Sequence, residues 1–311
     1  MKIGNFIMLY DVIIIGSGPS GLTAAIYTTR ASLKTLVLAG SKWGGQLMLT
    51  SVIENFPGFP EGIEGPELMA NMRKQAEKHG AEIIDTDFVS GDFIKQPFVL
   101  KTGEKEYQAK SVIIATGADA RWLGVKGEEE RIGKGVSCCA TCDAMFFRAK
   151  NVIIVGGGDS AMEEALVLAK VAASVTIVHR RGEFKASSIM LKRAKENPKI
   201  SFLLNSQIEE ILGDYRVQSV KVKNNVTGEE REMPIDGVFV AIGHIPNTTV
   251  FKGIETDKEG YIAVKEHYQT NIPGVFVSGD VHDKRYRQAI TAAGYGSSAA
   301  LEVEKWLADH E

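Results

Sequence analysis

Cysteine is scarce in this chain. There are three, Cys138, Cys139 and Cys142, and all sit in one short stretch. Such scarcity excludes a secreted disulfide framework and makes a reducing compartment, the cytoplasm, the expected location. An excess of one charge is lacking too. Thirty-six Lys and Arg face 39 Asp and Glu, for a net charge of −3, so there is no electrostatic footprint for nucleic acid. No apolar run approaches the ~20 residues of a membrane-spanning helix, so no membrane is expected as a partner. Met1–Ile15 is apolar, but Asp11 interrupts it and no small-residue cleavage pattern follows. Tyr10–Ile15 is predicted to be a buried strand, with residues 1–9 a short extension and Met8 an alternative start. What remains is ordinary globular chemistry. Hydrophobic residues make up 44% and charged residues 24% of 311 positions, enough for two domains with ample core.

Glycine, by contrast, is plentiful, at 32 residues. Tyr10–Ile15 runs into Gly16-Ser17-Gly18-Pro19-Ser20-Gly21 and then the helical run Leu22–Arg30. Strand, G-x-G-x-x-G and helix in that order suit a dinucleotide. The glycines permit a tight turn and close backbone approach, and the helix N-terminus offers unpaired N–H groups to a pyrophosphate. Roughly 20 residues on, a carboxylate commonly holds a ribose. Here the strand Thr35–Leu38 ends at Ala39-Gly40, so that contact is predicted to be missing or made differently.

The arrangement then recurs. Asn151–Val155, Gly156-Gly157-Gly158-Asp159-Ser160-Ala161 and the helix Met162–Lys170 repeat it at an offset of 140 (Gly16 to Gly156). The following strand, Ser174–Val178, ends in His179-Arg180-Arg181, with Lys185 close by. Cations at the ribose end fit the extra 2′-phosphate of NADP. A solvated basic turn is the plainer alternative.

Cys139-Ala140-Thr141-Cys142-Asp143 lies between the two loops. A C-x-x-C pair can close into a small ring, and the second thiol can resolve a mixed disulfide made by the first. Asp143 stands where an acid could hand a proton to a leaving thiolate. Zinc would need four ligands and a second pair, which the sequence does not supply near these thiols, so no metal is expected. A pair of inert thiols stays open at this point.

Other stretches frame these three. Trp43–Leu47 and Ile53–Pro60 carry glycines and aromatics that predict either a loop folded over something flat or a turn-rich surface loop. Glu67–His79 reads as an amphipathic helix. Residues 81–110 read as short strands with turns at Gly91 and at Thr102-Gly103. Ser111–Gly117 reads as a buried strand, and Ala118–Gly135 as a polar crossover. Residues 200–236 again suggest short strands, Gly237–His244 echoes Val112–Gly117, and Gly274–Asp280 is a strand ending in Gly-Asp. A long helix is predicted from about Gln288 to Leu307. Asp280 could bind a polyol hydroxyl or cap a turn, and the helix start could aim its positive end at an anionic ring edge.

Along nearly its whole length the chain resembles the low-molecular-weight thioredoxin reductases. The matching stretches are Gly16–Gly21, Gly44–Leu47, Glu54–Pro60, Cys139–Asp143, Gly156–Glu164, His179–Arg181, Ala241–Thr248 and Gly279–Ala289. The resemblance implies an α/β fold of two Rossmann-like nucleotide-binding domains. An NADPH domain at 120–244 would interrupt an FAD domain at 1–119 and 245–311, and the protein would be a homodimer. It implies that Gly16, Gly18, Pro19, Ser20 and Gly21 hold the FAD pyrophosphate. Gly45, Gln46, Leu47, Asn55 and Gly117 would line the path to the flavin. Gly279, Asp280, Arg287, Gln288 and Ala289 would hold the ribityl chain and the pyrimidine edge. Gly157, Gly158, Asp159, Ser160 and Glu163 would surround NADPH, with His179, Arg180, Arg181 and Lys185 on its 2′-phosphate. By the same resemblance electrons pass from NADPH through FAD to a Cys139–Cys142 disulfide and on to thioredoxin. Cys142 would face the flavin, Cys139 would attack the partner, and Asp143 would carry the proton. Hinges are predicted near Ala118–Arg121 and Gly243–Pro246, because the dithiol and the NADPH loop share one inserted domain yet must both reach the flavin.

The chain departs from the family pattern at Cys138, at Ala39, at Trp43 and at Lys185, where relatives often carry arginine. A flavin dithiol oxidase on this scaffold would gain nothing from His179–Arg181. A ferredoxin–NADP reductase would not need the dithiol. A hydroperoxide-reductase subunit would carry a further thioredoxin-like domain, and a non-enzymatic redox sensor could dispense with the dithiol or the flavin anchors.

Overall fold

The computed structural model describes residues 8–50, 52–103 and 105–310. The expectation for residues 1–7 lies outside the described residues. Two compact units emerge. One holds the chain up to Asp119 together with Ile245 onward, and the other is Ala120–His244.

The first unit starts with β1 (Leu9–Ile15), α1 (Pro19–Arg30) and β2 (Thr35–Leu38). Val12, Ile13, Ile14 and all of β2 are buried, as expected for parallel strands covered on both faces. Then come β3 (Val52–Ile53), β4 (Ile63–Glu64), α2 (Gly65–Lys78), β5 (Glu82–Ile84), β6 (Phe88–Asp92), β7 (Phe98–Thr102) and β8 (Glu106–Ile114). The chain leaves through β9 (Ala118–Ala120).

In the second unit β10 (Val136–Ser137), α3 (Ala140–Asp143), β11 (Asn151–Val155), α4 (Asp159–Ala169) and β12 (Ser174–Val178) lead to α5 (Ser188–Lys195) and β13 (Ile200–Leu203). A three-stranded antiparallel layer follows, β14 (Ser206–Leu212), β15 (Ser219–Asn224) and β16 (Glu230–Pro234), and then β17 (Gly237–Val240). The chain returns through β18 (His244–Pro246), which pairs with β9, and completes the first unit with β19 (Val275–Val277) and α6 (Ala289–Ala308).

The first sheet runs β5-β2-β1-β8-β7-β6, with β19 beside the end of β8. The second runs β10-β17-β11-β12-β13, all parallel. Their registers repeat. Ile15 stands opposite Leu38, and Val155 opposite Val178, so the offset of 140 between the glycine loops is also a structural one. Two glycines show how tightly the first layer closes. A side chain on Gly296 of α6 would strike the Ser20 carbonyl of α1, and one on Gly21 would strike the Gly16 carbonyl. The two helices therefore meet backbone to backbone.

One expectation is corrected. Gly91 does not mark a turn but lies within β6, where a Cβ would sit 2.7 Å from the Phe93 ring and 3.3 Å from that of Phe88. Glycine there makes room for a cluster in which Phe88 stacks on Phe251 at 5.1 Å, a packing reason that outweighs its turn propensity. The Ala118–Gly135 stretch, expected as a polar crossover, has local structure of its own. Beyond β9 it carries a 3-10 helix (Glu129–Arg131), and the buried Glu128 carboxylate accepts the N–H groups of Leu123 and Gly124 at 2.9 and 2.7 Å.

Candidate active site

The dithiol sits at the start of a helical turn. Cys139 and Cys142 form a disulfide, with Cα atoms 5.3 Å apart. Cys139 is the N-cap of α3, and its Sγ accepts the Cys142 N–H at 3.2 Å. An N–H aimed at sulfur favours negative charge there once the bond is reduced. Ser137, at the end of β10, fixes the entry by accepting the Cys139 N–H at 3.0 Å. Burial pushes the Asp143 carboxyl up, against a lowering hydrogen bond from Ser137. That carboxyl keeps its proton further up the pH scale than an ordinary aspartic acid, which suits a proton donor. Ser137 was not singled out from sequence, although a serine two residues before a backbone N–H is a recognisable turn signal. Cys138 is half-buried and outside the disulfide. Met145 and Phe146, just past the dithiol, are 51% and 40% exposed.

The glycine loop of the first unit is closed on one side and open on the other. Gly16 has φ +112°, and a side chain there would strike the Ala115 carbonyl. Gly18, at φ −68°, has no protein atom within 4 Å of a built Cβ, so its backbone borders open space. Pro19 occupies the first turn of α1, where a missing N–H costs nothing. The Ser20 hydroxyl is turned inward, 2.5 Å from that of Ser278, which leaves the backbone as its contribution to the cradle. Gly45 has φ +67°, and a Cβ placed on it would lie 3.5 Å from Gly18 Cα. Gln46 donates to Asp119 at 2.7 Å, and Asn55 to Gln288 at 3.3 Å. Leu47 is half-buried against a small core with Met69 and Phe56. Gly117, at φ +68°, again borders open space.

At the end of β19, Gly279 (φ +80°) brings the backbone against Ser20. Asp280 follows. Its Oδ1 is sealed from solvent with no hydrogen-bond partner. Its carboxyl is pushed up to about 7, first by burial and then by the Asp283 charge, while Arg287 opposes. Arg287 holds a left-handed φ of +49°. Gln288 caps α6 in a capping box with Thr291, and Ala289 opens the helix. An orphaned carboxylate oxygen beside a bare glycine cradle fits a dinucleotide bearing a polyol chain, as FAD does.

The aromatics of the loop at 43–60 are half-buried against protein. Trp43, Phe56 and Phe59 pack into the core with Leu22, Ile53 and Met69. The Arg73 guanidinium lies 4.9 Å over Trp43 and is itself held by Asp85 at 2.7 Å and Glu77 at 3.0 Å.

The second unit repeats the cradle. A Cβ on Gly156 would lie 2.5 Å from the Ala241 carbonyl, while Gly158 borders open space. Asp159, Ser160 and Glu163 lie exposed on the first turns of α4. One Asp159 oxygen accepts the Ser187 N–H at 2.6 Å. Lys185 is exposed, and its N–H bonds the Gly157 carbonyl at 2.8 Å, which brings it beside the glycine loop. Arg180 and Arg181 are exposed, but His179 is buried. Its Nε2 meets the Glu183 carbonyl at 3.0 Å, its ring stacks on Phe184 at 5.2 Å, and a side chain on Gly157 would strike it. Burial, with the two arginines, pushes its pKa down. His179 is therefore packed as a wedge that positions the loop, and its exposed neighbours Arg180 and Arg181 carry guanidinium groups. Among the described residues no cluster of three or more His, Cys, Asp or Glu could hold a metal ion, and no helix is long and apolar enough to cross a membrane.

Known proteins are similar to this chain in sequence and in fold. Residues 10–296 match the family described as pyridine nucleotide-disulphide oxidoreductase. A thioredoxin reductase of Mycolicibacterium smegmatis is 52% identical over 308 residues, spanning 97% of this chain and 98% of that one. The solved thioredoxin reductase from Giardia duodenalis superposes with a TM-score of 0.92 at 44% identity, over 96% of this chain and 99% of that one. The one from Streptococcus pyogenes gives 0.93 at 42%, over 97% and 99%. This chain belongs to the pyridine nucleotide-disulphide oxidoreductases and, among them, to the thioredoxin reductases.

Proposed function

We propose that the chain is an NADPH-dependent thioredoxin reductase, with FAD in the first unit, NADPH in the second, and the Cys139–Cys142 pair as the group that meets the protein substrate. The observation that carries this reading is the disulfide itself, set at a helix start beside an up-shifted acid. FAD, when bound, supplies the two-electron relay between nicotinamide and dithiol.

The dithiol half of the chemistry follows from the residues. With the ring reduced, the Cys139 thiolate attacks one sulfur of the partner's disulfide, and the other sulfur leaves as a thiolate. Asp143 gives that thiolate its proton. Cys142 then attacks the Cys139 sulfur, which breaks the mixed disulfide and re-forms the ring. The second partner sulfur leaves and takes the proton that the Cys142 thiol gives up, so two electrons move to the partner and both of its sulfurs end as thiols. The exposed Met145 and Phe146 supply apolar surface for a docking protein next to the ring. Arg180, Arg181 and Lys185 supply the charge that tells NADPH from NADH, while His179 holds their turn.

Three parts of the reading rest on other grounds. A homodimer rests on the family resemblance, a cytoplasmic location on the scarcity of cysteine, and hinges at Ala118–Arg121 and Gly243–Pro246 on the dithiol and the NADPH loop sharing one inserted domain. Gly243 at φ +102° and the Arg121–Gly243 backbone bond of 3.0 Å support a defined, glycine-bearing crossing.

Anaerobic NADPH oxidation by the yellow protein, with and without a thioredoxin and with NADH in parallel, tests the reading. Thioredoxin-dependent oxidation that prefers NADPH is expected. Flavin reduction with no flow to thioredoxin would reassign the partner. No reduction by either nucleotide would remove the second loop from the pathway.

A further inference from the structure

The end of β2 has a chemical gap. Ala39 presents a buried methyl group, its carbonyl accepts the Ser17 hydroxyl at 2.8 Å, and its N–H goes to the Ile84 carbonyl at 2.8 Å. The neighbouring strand supplies an acid instead. Ile84 of β5 stands opposite Leu38 of β2, and beyond it the Gly40 N–H reaches the Thr86 carbonyl at 3.3 Å. Asp87 comes next. Its Oδ1 accepts the Ser41 N–H at 2.8 Å, and its Oδ2 the Ser41 hydroxyl at 2.9 Å. A Cβ built on Gly40 would lie 3.3 Å from Asp87 Oδ1. The carboxylate is thus tied to the backbone just past the strand end. Asp87 is exposed, and two carboxylate oxygens hold about four lone-pair sites, so acceptor capacity remains.

The second unit is different at the same topological point. At the offset of 140, Gly40 and Ser41 become Arg180 and Arg181. Leu203 opposite Val178 puts Ser206 in the place of Asp87. One strand end carries a carboxylate and its twin carries guanidinium groups.

We propose that Asp87 is the ribose-binding carboxylate of the first unit: held by Ser41, it accepts the 2′ and 3′ hydroxyls of the adenosine ribose of FAD, and its charge turns away a 2′-phosphorylated dinucleotide. The proposal rests on the FAD reading of that unit.

The test compares full-length protein carrying FAD with the same protein exchanged into an FAD analogue whose adenosine ribose lacks both hydroxyls. Release constants are read from flavin fluorescence recovered on dilution. Wild type is expected to hold the analogue roughly tenfold or more weakly than FAD, the size of a hydrogen bond to a charged group. Asp87→Asn keeps an oxygen for the Ser41 N–H, so the loop stays anchored. That variant is expected to lose about the same factor for FAD and nothing further for the analogue. Ser41→Ala, which loosens the carboxylate without removing it, is expected to show the same pattern at smaller size. An equal loss by Asp87→Asn for both ligands would make Asp87 a loop anchor only, and an unchanged FAD constant would also overturn the assignment. Wild-type protein that retains no FAD would overturn the reading of the unit, and the assignment with it.

Discussion

Replacing Cys142 by Ser is expected to leave reduction of bound flavin by NADPH intact while turnover with a disulfide partner falls to background. Anaerobic spectra and a thioredoxin-coupled assay read the two halves separately, and retained turnover would refute the role of Cys142. Arg180 and Arg181, both exposed, predict that their joint replacement by Ala raises the KM for NADPH by roughly tenfold or more and leaves that for NADH nearly unchanged. Asp280 gives a pH signature. Its carboxyl is pushed up to about 7, and an ionised carboxylate accepts a hydroxyl more strongly than a neutral one. FAD affinity should therefore rise as pH climbs through about 7, because the better acceptor is then populated. Asp280→Asn should flatten that slope in a flavin-release titration.

At the scale of elements, the two glycine loops separate folding from binding. Gly18 borders open space at φ −68°, so Gly18→Ala should leave the thermal midpoint of flavin-free protein within about 2 °C and speed FAD release. Gly157 is the opposite case, since a side chain there strikes the ring of His179. That ring is tied to Glu183 and Phe184 and cannot retreat cheaply. Gly157→Ala should cost about 1–3 kcal/mol in denaturant unfolding. Both loops were legible in the sequence because strand, glycine and helix positions are local. The packing of Trp43, Phe56 and Phe59 was not. Aromatics in a glycine-rich loop read equally as a surface turn or as a lid, and only the apolar pocket formed by α1, α2 and the β3–β4 hairpin decides where the rings go.

For the whole molecule, β9 and β18 pair where the chain crosses between units. If the units must rotate between half-reactions, a crosslink that locks them should abolish steady-state turnover while sparing at least one half-reaction. Turnover unchanged by the crosslink would remove the hinge. The periodic alternation of buried strand, glycine loop and helix determined from sequence alone that two dinucleotide-type units exist and that a dithiol lies between their loops. Those signals are local, written within some thirty residues. Tertiary structure alone decided that His179 is buried, that Asp280 carries an orphaned oxygen, and that Asp87 stands at the end of a strand it does not belong to. Each depends on segments far apart in the chain, and desolvation and cross-strand proximity leave no mark on the spacing of residues along it.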